Sequence, residues 1–134
     1  MIAADTSVVV AAFATWHEGH RAATAAFVRE IRIPAHVLVE TYSVLTRLPP
    51  PHTAPTAVVS AFLIQRFRRP PLTLPARLWL PLLSRLAGEG VTGGATYDAL
   101  VAATAHHAGA LLLTRDRRAI PVYERVGVSY ELVA

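Results

Sequence analysis

An α/β fold with a mostly parallel sheet is predicted by three observations. Short apolar runs stand at the start (MIAADTS), at Ala110 to Leu113 and at Val128 to Val133, each bounded by polar or turn residues. Longer segments of helical periodicity lie between them. Strands that alternate with helices stack into a sandwich, with helices covering a largely parallel sheet. Such sheets hold their sites beyond the carboxyl ends of the strands.

The first predicted strand ends at Asp5, the one charge in thirteen residues, and Thr6-Ser7 follow as a helix cap. Ala22, Ala23, Ala26 and Phe27 recur at helical spacing after His20. Val37, Thr41, Val44, Leu45 and Leu48 do so after the Ile33-Pro34 break. Eight of the ten prolines fall between Pro49 and Pro81, which breaks that region into short helices with rigid connections. Leu78, Trp79, Leu82, Leu83 and Leu86 form one apolar helical face, with Pro81 either kinking the helix or marking its start. Ala95, Ala102 and Ala105 carry a further helix after Gly93-Gly94.

The 134 residues suit one domain, 1–134, with a core that needs no staples. Cysteine is absent, which excludes a disulfide framework and thiolate metal sites. No basic leader stands before Asp5 and no long uncharged apolar stretch occurs, so a cytoplasmic chain with no membrane span is expected. All thirteen basic residues are Arg, against nine acidic ones, for a net charge of +4. An arginine-rich basic chain suits a polyanion such as nucleic acid, although a GC-rich genome also yields such a composition.

With only nine acids, each can be read singly. Glu18, Glu30, Glu89, Glu124 and Glu131 sit in polar or terminal contexts. Four others sit in apolar ones. Asp5 and Asp116 close predicted strands; Glu40 edges the apolar stripe of AHVLVETYSVL; Asp98 shares a small-residue face with Ala95, Ala102 and Ala105. Each has a plain structural alternative. Asp5 and Asp116 suit caps or turns, Glu40 suits a pair with Arg47, and Asp98 suits a helix N-terminus. Two acids at strand ends and two on helices at the sheet edge would converge on one cluster. Several carboxylates cannot all ionise at close range without a cation. Oxygen ligands without Cys point to a hard divalent ion, Mg²⁺ or Mn²⁺.

MIAADTS, the Glu of HVLVETYSVL, TYDALVAATA and LLTRD, taken in that order, resemble a PIN-domain ribonuclease, more narrowly a VapC-type toxin of a bacterial toxin–antitoxin pair. The resemblance covers essentially the whole chain and implies a PIN-like sandwich and a metal-dependent endoribonuclease. It implies that Asp5, Glu40, Asp98 and Asp116 are the catalytic, metal-holding acids, with Thr114 and Ser7 in support. Some members of the family carry a further Asp after the fourth acid. Here Arg117 and Arg118 follow, which provides less well for a second metal. The implied partners are a cognate antitoxin, an RNA of the transfer or ribosomal class, and a second copy in a homodimer.

Arg115, Arg117 and Arg118 surround Asp116 and suit RNA phosphates; RFRR at Arg66 to Arg69 suits either phosphates or a solvated face. Trp16, Phe67 and Trp79 are stacking platforms or core. WHEGHRA spaces its histidines three apart, where the helical zinc motif needs four, so a surface helix start is expected. His106-His107 read as exposed. The Thr56 to Leu86 stretch suits a docking surface. A non-catalytic RNA-binding or interaction module is the alternative function. A phosphoacceptor domain, by its own family's pattern, needs a Lys, and this chain has none.

Overall fold

The computed structural model describes residues 1–134. Four strands, β1 (Ile2–Ala4), β2 (Ile31–Arg32), β3 (Leu111–Thr114) and β4 (Tyr130–Leu132), form one sheet in the order β2-β1-β3-β4. Every pair is parallel, with Ala4 beside Leu113 and Thr114 beside Leu132. Seven helices cover it: α1 (Thr6–Phe13), α2 (His20–Ala26), α3 (Ala35–Arg47), α4 (Thr56–Arg66), α5 (Trp79–Gly88), α6 (Ala95–His107) and α7 (Ile120–Val126). The predicted α/β sandwich is present.

After β1 the chain turns through α1 and α2 to β2 on one side; after β3 it turns through α7 to β4 on the other. The gap beyond the carboxyl ends of β1 and β3 is therefore a topological switch point, where open parallel sheets form crevices. A crossover helix runs antiparallel to the strand it feeds, so α6 brings its first turn, and with it Asp98, to that same edge. Ala102 and Ala105 are fully buried and Ala99 nearly so, and these small side chains let α6 lie close on the sheet. The core is otherwise built from Val8, Val9, Val37, Leu45, Leu112 and Leu113.

Three sequence expectations are refined. β2 is only two residues long, too short for any periodicity to register, and it exists because β1 offers it a ladder. Pro34, in the expected break, is the N-cap of α3. Pro81 is the third residue of α5, where its missing N–H has no helical acceptor to lose, so it marks a start and not a kink. Trp79, Leu80 and Leu83 remain exposed on that helix.

Candidate active site

The switch point opens into a cavity of about 860 Å³ walled by Thr6, Ser7, Glu40, Asp98, Asp116 and Arg118, among others. Three of the four singled-out acids are on its wall. Asp5 is buried behind Ser7 and does not line it.

Asp5 does cap α1, as its plain structural reading held. Its Oδ1 accepts from the Val8 backbone N–H at 3.3 Å and from Ser7 Oγ at 2.5 Å. Its Oδ2 accepts from the Tyr123 hydroxyl at 2.8 Å. Burial pushes its carboxyl up, and the bonds from Ser7, Thr114, Tyr123 and Val8 oppose that. A carboxylate offers about four acceptor positions, so little of Asp5 is left unengaged.

Glu40 is bound at both oxygens, Oε1 by Thr6 Oγ1 and Oε2 by His36 Nε2 at 3.3 Å. Parallel stacking on Tyr97, with centroids 5.1 Å apart, holds the His36 ring in place. Arg47 does not pair with Glu40; it donates to Ser43 Oγ at 3.1 Å, one turn back on α3. Asp116 takes the Arg118 backbone N–H on Oδ1 at 3.0 Å, and its own N–H donates to Thr114 Oγ1 at 3.0 Å. It is thus a turn residue as well as a cavity wall.

Asp98 has no such partners. Burial pushes its carboxyl up to about 6, and the charges of Asp116, Glu40 and Asp5 push the same way against Arg118. The four acids therefore share one electrostatic site, centred on Asp98. In these rotamers no three acids or histidines stand close enough to grip one ion. The donor set is all oxygen and self-repelling at its centre, a chemistry that fits a hard divalent cation.

Arg115 lines the same cavity, with two of its donors already engaged. Its backbone N–H donates to Ser7 Oγ at 2.8 Å and its Nη1 to the Val133 carbonyl at 2.9 Å. Its guanidinium lies over the buried Gly19, where a Cβ would meet its Cζ at 2.3 Å. Arg117 and Arg118 are exposed, Arg118 almost wholly. Gly19→Ala is expected to expel the Arg115 side chain and cost about 1 kcal/mol, the worth of one hydrogen bond. In the Arg115→Ala background the same change should cost nothing by urea unfolding. An equal cost in both backgrounds would place the effect in the Gly19 backbone instead.

Tyr123 and His36 were not singled out from the sequence, and Thr6 was expected only as part of a helix cap with Ser7; the cap is Asp5, and Thr6 is the first residue of α1. Nothing local marks Tyr123, whose partner lies 118 residues away. Both histidines of WHEGHRA are tied to backbone: His17 Nδ1 accepts from the Gly19 N–H at 2.9 Å, and His20 Nδ1 donates to the Ala11 carbonyl at 2.9 Å. His20 opens α2, as expected of a surface helix start, and His106 and His107 are exposed. Trp16 stacks on His52 with centroids 3.9 Å apart, Phe67 packs edge-on against Phe27, and the Trp79 indole N–H donates to Leu74.

Known proteins are similar to this chain over nearly its whole length. The PIN domain family profile matches residues 2–126. Ribonuclease VapC40 of Mycobacterium tuberculosis is 57% identical over 133 residues, 99% of each chain. Ribonuclease VapC27 of the same organism is 42% identical over 134 residues, covering 99% of this chain and 97% of that one. Among solved structures, FitAcB from Neisseria gonorrhoeae has a TM-score of 0.69 at 18% identity, covering 97% of this chain and 96% of that one. VapBC2 from Rickettsia felis, bound to a DNA fragment from its promoter, has a TM-score of 0.67 at 19% identity and covers 98% of each chain.

Proposed function

Because this chain belongs to the PIN-domain family, and within it to the VapC ribonucleases, we propose that it is a metal-dependent endoribonuclease, the toxin of a toxin–antitoxin pair. The observation that carries this reading is the placement of Glu40, Asp98 and Asp116 on the wall of one open cavity with Asp5 buried behind it, so that burial and the neighbouring charges push the Asp98 carboxyl up. Such repulsion is sustained most readily where a cation is to be held.

Asp98 and Asp116 would hold Mg²⁺ or Mn²⁺ from the wall, with Glu40 and Asp5 completing the acidic set. The ion, when bound, lowers the pKa of a coordinated water and offsets charge on a phosphodiester. Thr114 fixes the Asp116 turn, Ser7 ties Asp5 to the β3 end, and Thr6 with His36 orients Glu40. Arg117, which is in no ion pair, and Arg118, which stands 3.8 Å from Asp116 Oδ1 but is almost wholly exposed, offer guanidiniums to RNA phosphates. Arg115, already bonded to Val133, acts there chiefly through its backbone.

A cognate antitoxin and homodimerisation belong to the same proposal, as does a substrate of the transfer or ribosomal RNA class. Exposed Val58, Ile64, Leu80 and Leu83 on α4 and α5 supply apolar surface for a protein partner. No helix is long and apolar enough to cross a membrane, which is consistent with a cytoplasmic site of action. The family match, covering nearly the whole chain, supports reading 1–134 as one domain.

The test is end-mapped cleavage of total bacterial RNA by the purified protein with Mg²⁺, Mn²⁺ or EDTA. Discrete cuts that need the ion are expected. One observation favours a second reading, a non-catalytic module of the same fold: no three acids gather round a single point. Folded protein, free of antitoxin, that makes no ion-dependent cut would support that module.

A further inference from the structure

A second cavity, of about 370 Å³, shares no lining residue with the acidic one. It lies at the outer strand β2 and the end of α4, between Phe27 to Ile33 and Gln65 to Arg69. Five arginines and one acid, Glu30, line it. Glu30 is matched by Arg69 at 2.6 Å, and Arg29 is matched by Glu131 at 2.9 Å. Arg32, Arg66 and Arg68 enter no ion pair.

Two of those three are held in place by neutral groups. Arg66 Nη2 donates to the Phe27 carbonyl at 3.0 Å while its guanidinium lies 4.9 Å from the centre of the Phe27 ring. Arg32 Nη2 donates to the Pro70 carbonyl at 2.8 Å. Its Nε–H is buried without any acceptor, alone among the guanidinium N–H groups of the chain. An anion at this cavity would thus meet guanidiniums positioned in advance and in no ion pair, with the Arg32 charge felt by Glu30 but not paired with it. A chain that fills this cavity and the acidic one together must be long and repeatedly anionic. That description fits a polynucleotide.

We propose that the cavity of Arg32, Arg66 and Arg68 is an exosite for RNA phosphates, a second grip on the polymer cut at the acidic cavity. The inference rests on the ribonuclease reading for the identity of its ligand. It also assigns a task to the RFRR run that the acidic site leaves unused.

The experiment measures binding without cleavage. A 5′-fluorescein 20-nucleotide poly(U) is titrated by anisotropy across a series of salt concentrations, in an Asp98→Asn background. Each phosphate contact on single-stranded RNA contributes about 0.7 to the slope of log K against log salt. Arg68→Gln should lower that slope by about 0.7, and Arg32→Gln with Arg68→Gln by about 1.4. Arg77→Gln, on the short helical turn before α5, should leave it unchanged. Arg68 is exposed, so its single variant remains informative even where the double variant misfolds.

An unchanged slope in folded Arg68→Gln overturns the exosite. So does loss of binding to a labelled oligoglutamate with poly(U) unaffected, which would assign the cavity to an acidic protein segment. The two readings fail separately. Wild-type protein that cuts RNA while the slopes stay equal keeps the nuclease and removes the exosite. A slope that falls in a chain whose wild type cuts nothing keeps the exosite and removes the nuclease.

Discussion

Asp98→Asn is expected to reduce RNA cleavage by at least about 10²-fold and, at pH 7 without metal, to make the protein more stable. The two effects have opposite signs for one reason. Asp98 is pushed up to about 6 by burial and by three other carboxylates, so the fold holds its proton more tightly than the unfolded chain does. Its contribution to stability is fully present below the unfolded value near 4 and is lost as pH rises through about 6. Asn keeps the size and removes the repelling charge. The gain should be roughly 1 kcal/mol, discounted because Asp98 is only partly buried, or about 3–5 °C in melting temperature. It should vanish near pH 4, where wild-type Asp98 is itself protonated. Mg²⁺ should narrow the gap at pH 7 by stabilising the wild type more than the variant. A variant that melts lower than wild type at pH 7, with or without Mg²⁺, would make Asp98 an ordinary structural acid.

That outcome would matter because Asp98 was the most legible of the four acids. Its small-residue face on α6 pairs a carboxylate with side chains that permit close packing, and Ala102 and Ala105 are indeed buried against the sheet. Asp5 and Asp116 were legible for another reason, as polar stops on apolar runs, and parallel topology then carries both to one edge. The sandwich itself followed from the alternation of such runs with helical stripes. β2 escaped because two residues carry no period, and its pairing depends on a neighbour distant in sequence. The partners of the acids escaped for the same reason. Glu40 takes Thr6, 34 residues away, and Asp5 takes Tyr123. Reasoning along one helix suggested Arg47 for Glu40, yet across the cavity Thr6 was nearer. Local pattern shows which side chains need a partner; only the assembled layers show who supplies it.

Tyr123→Phe is expected to destabilise the fold by about 2 kcal/mol at neutral pH, the usual worth of a hydrogen bond to a buried charged group. Tyr123 is almost wholly buried, and its ring stays in place in the variant, so the loss belongs to the hydroxyl and not to a cavity. Burial and the nearby Asp5 charge raise the Tyr123 hydroxyl, so it remains a donor across the working range of pH. Removing it leaves Asp5 Oδ2 buried without that bond and should push the Asp5 carboxyl further up. Asp5→Ala should cost more, about 2–4 kcal/mol. That change removes the cap of α1 and takes away the acceptor of the buried Tyr123 hydroxyl, while Ser7 keeps the Arg115 N–H and its place on the open cavity, against some relief from losing a desolvated charge. The double variant should then cost much less than the sum, because neither group survives to be left unsatisfied. Urea unfolding of the four proteins gives the coupling directly. Costs that add would mean the 2.8 Å contact carries no energy, and Asp5 would be free to turn toward an ion. Strong coupling would mean that Tyr123 sets the Asp5 orientation, and Tyr123→Phe should then also weaken Mn²⁺ binding by about 10-fold or more in a calorimetric titration.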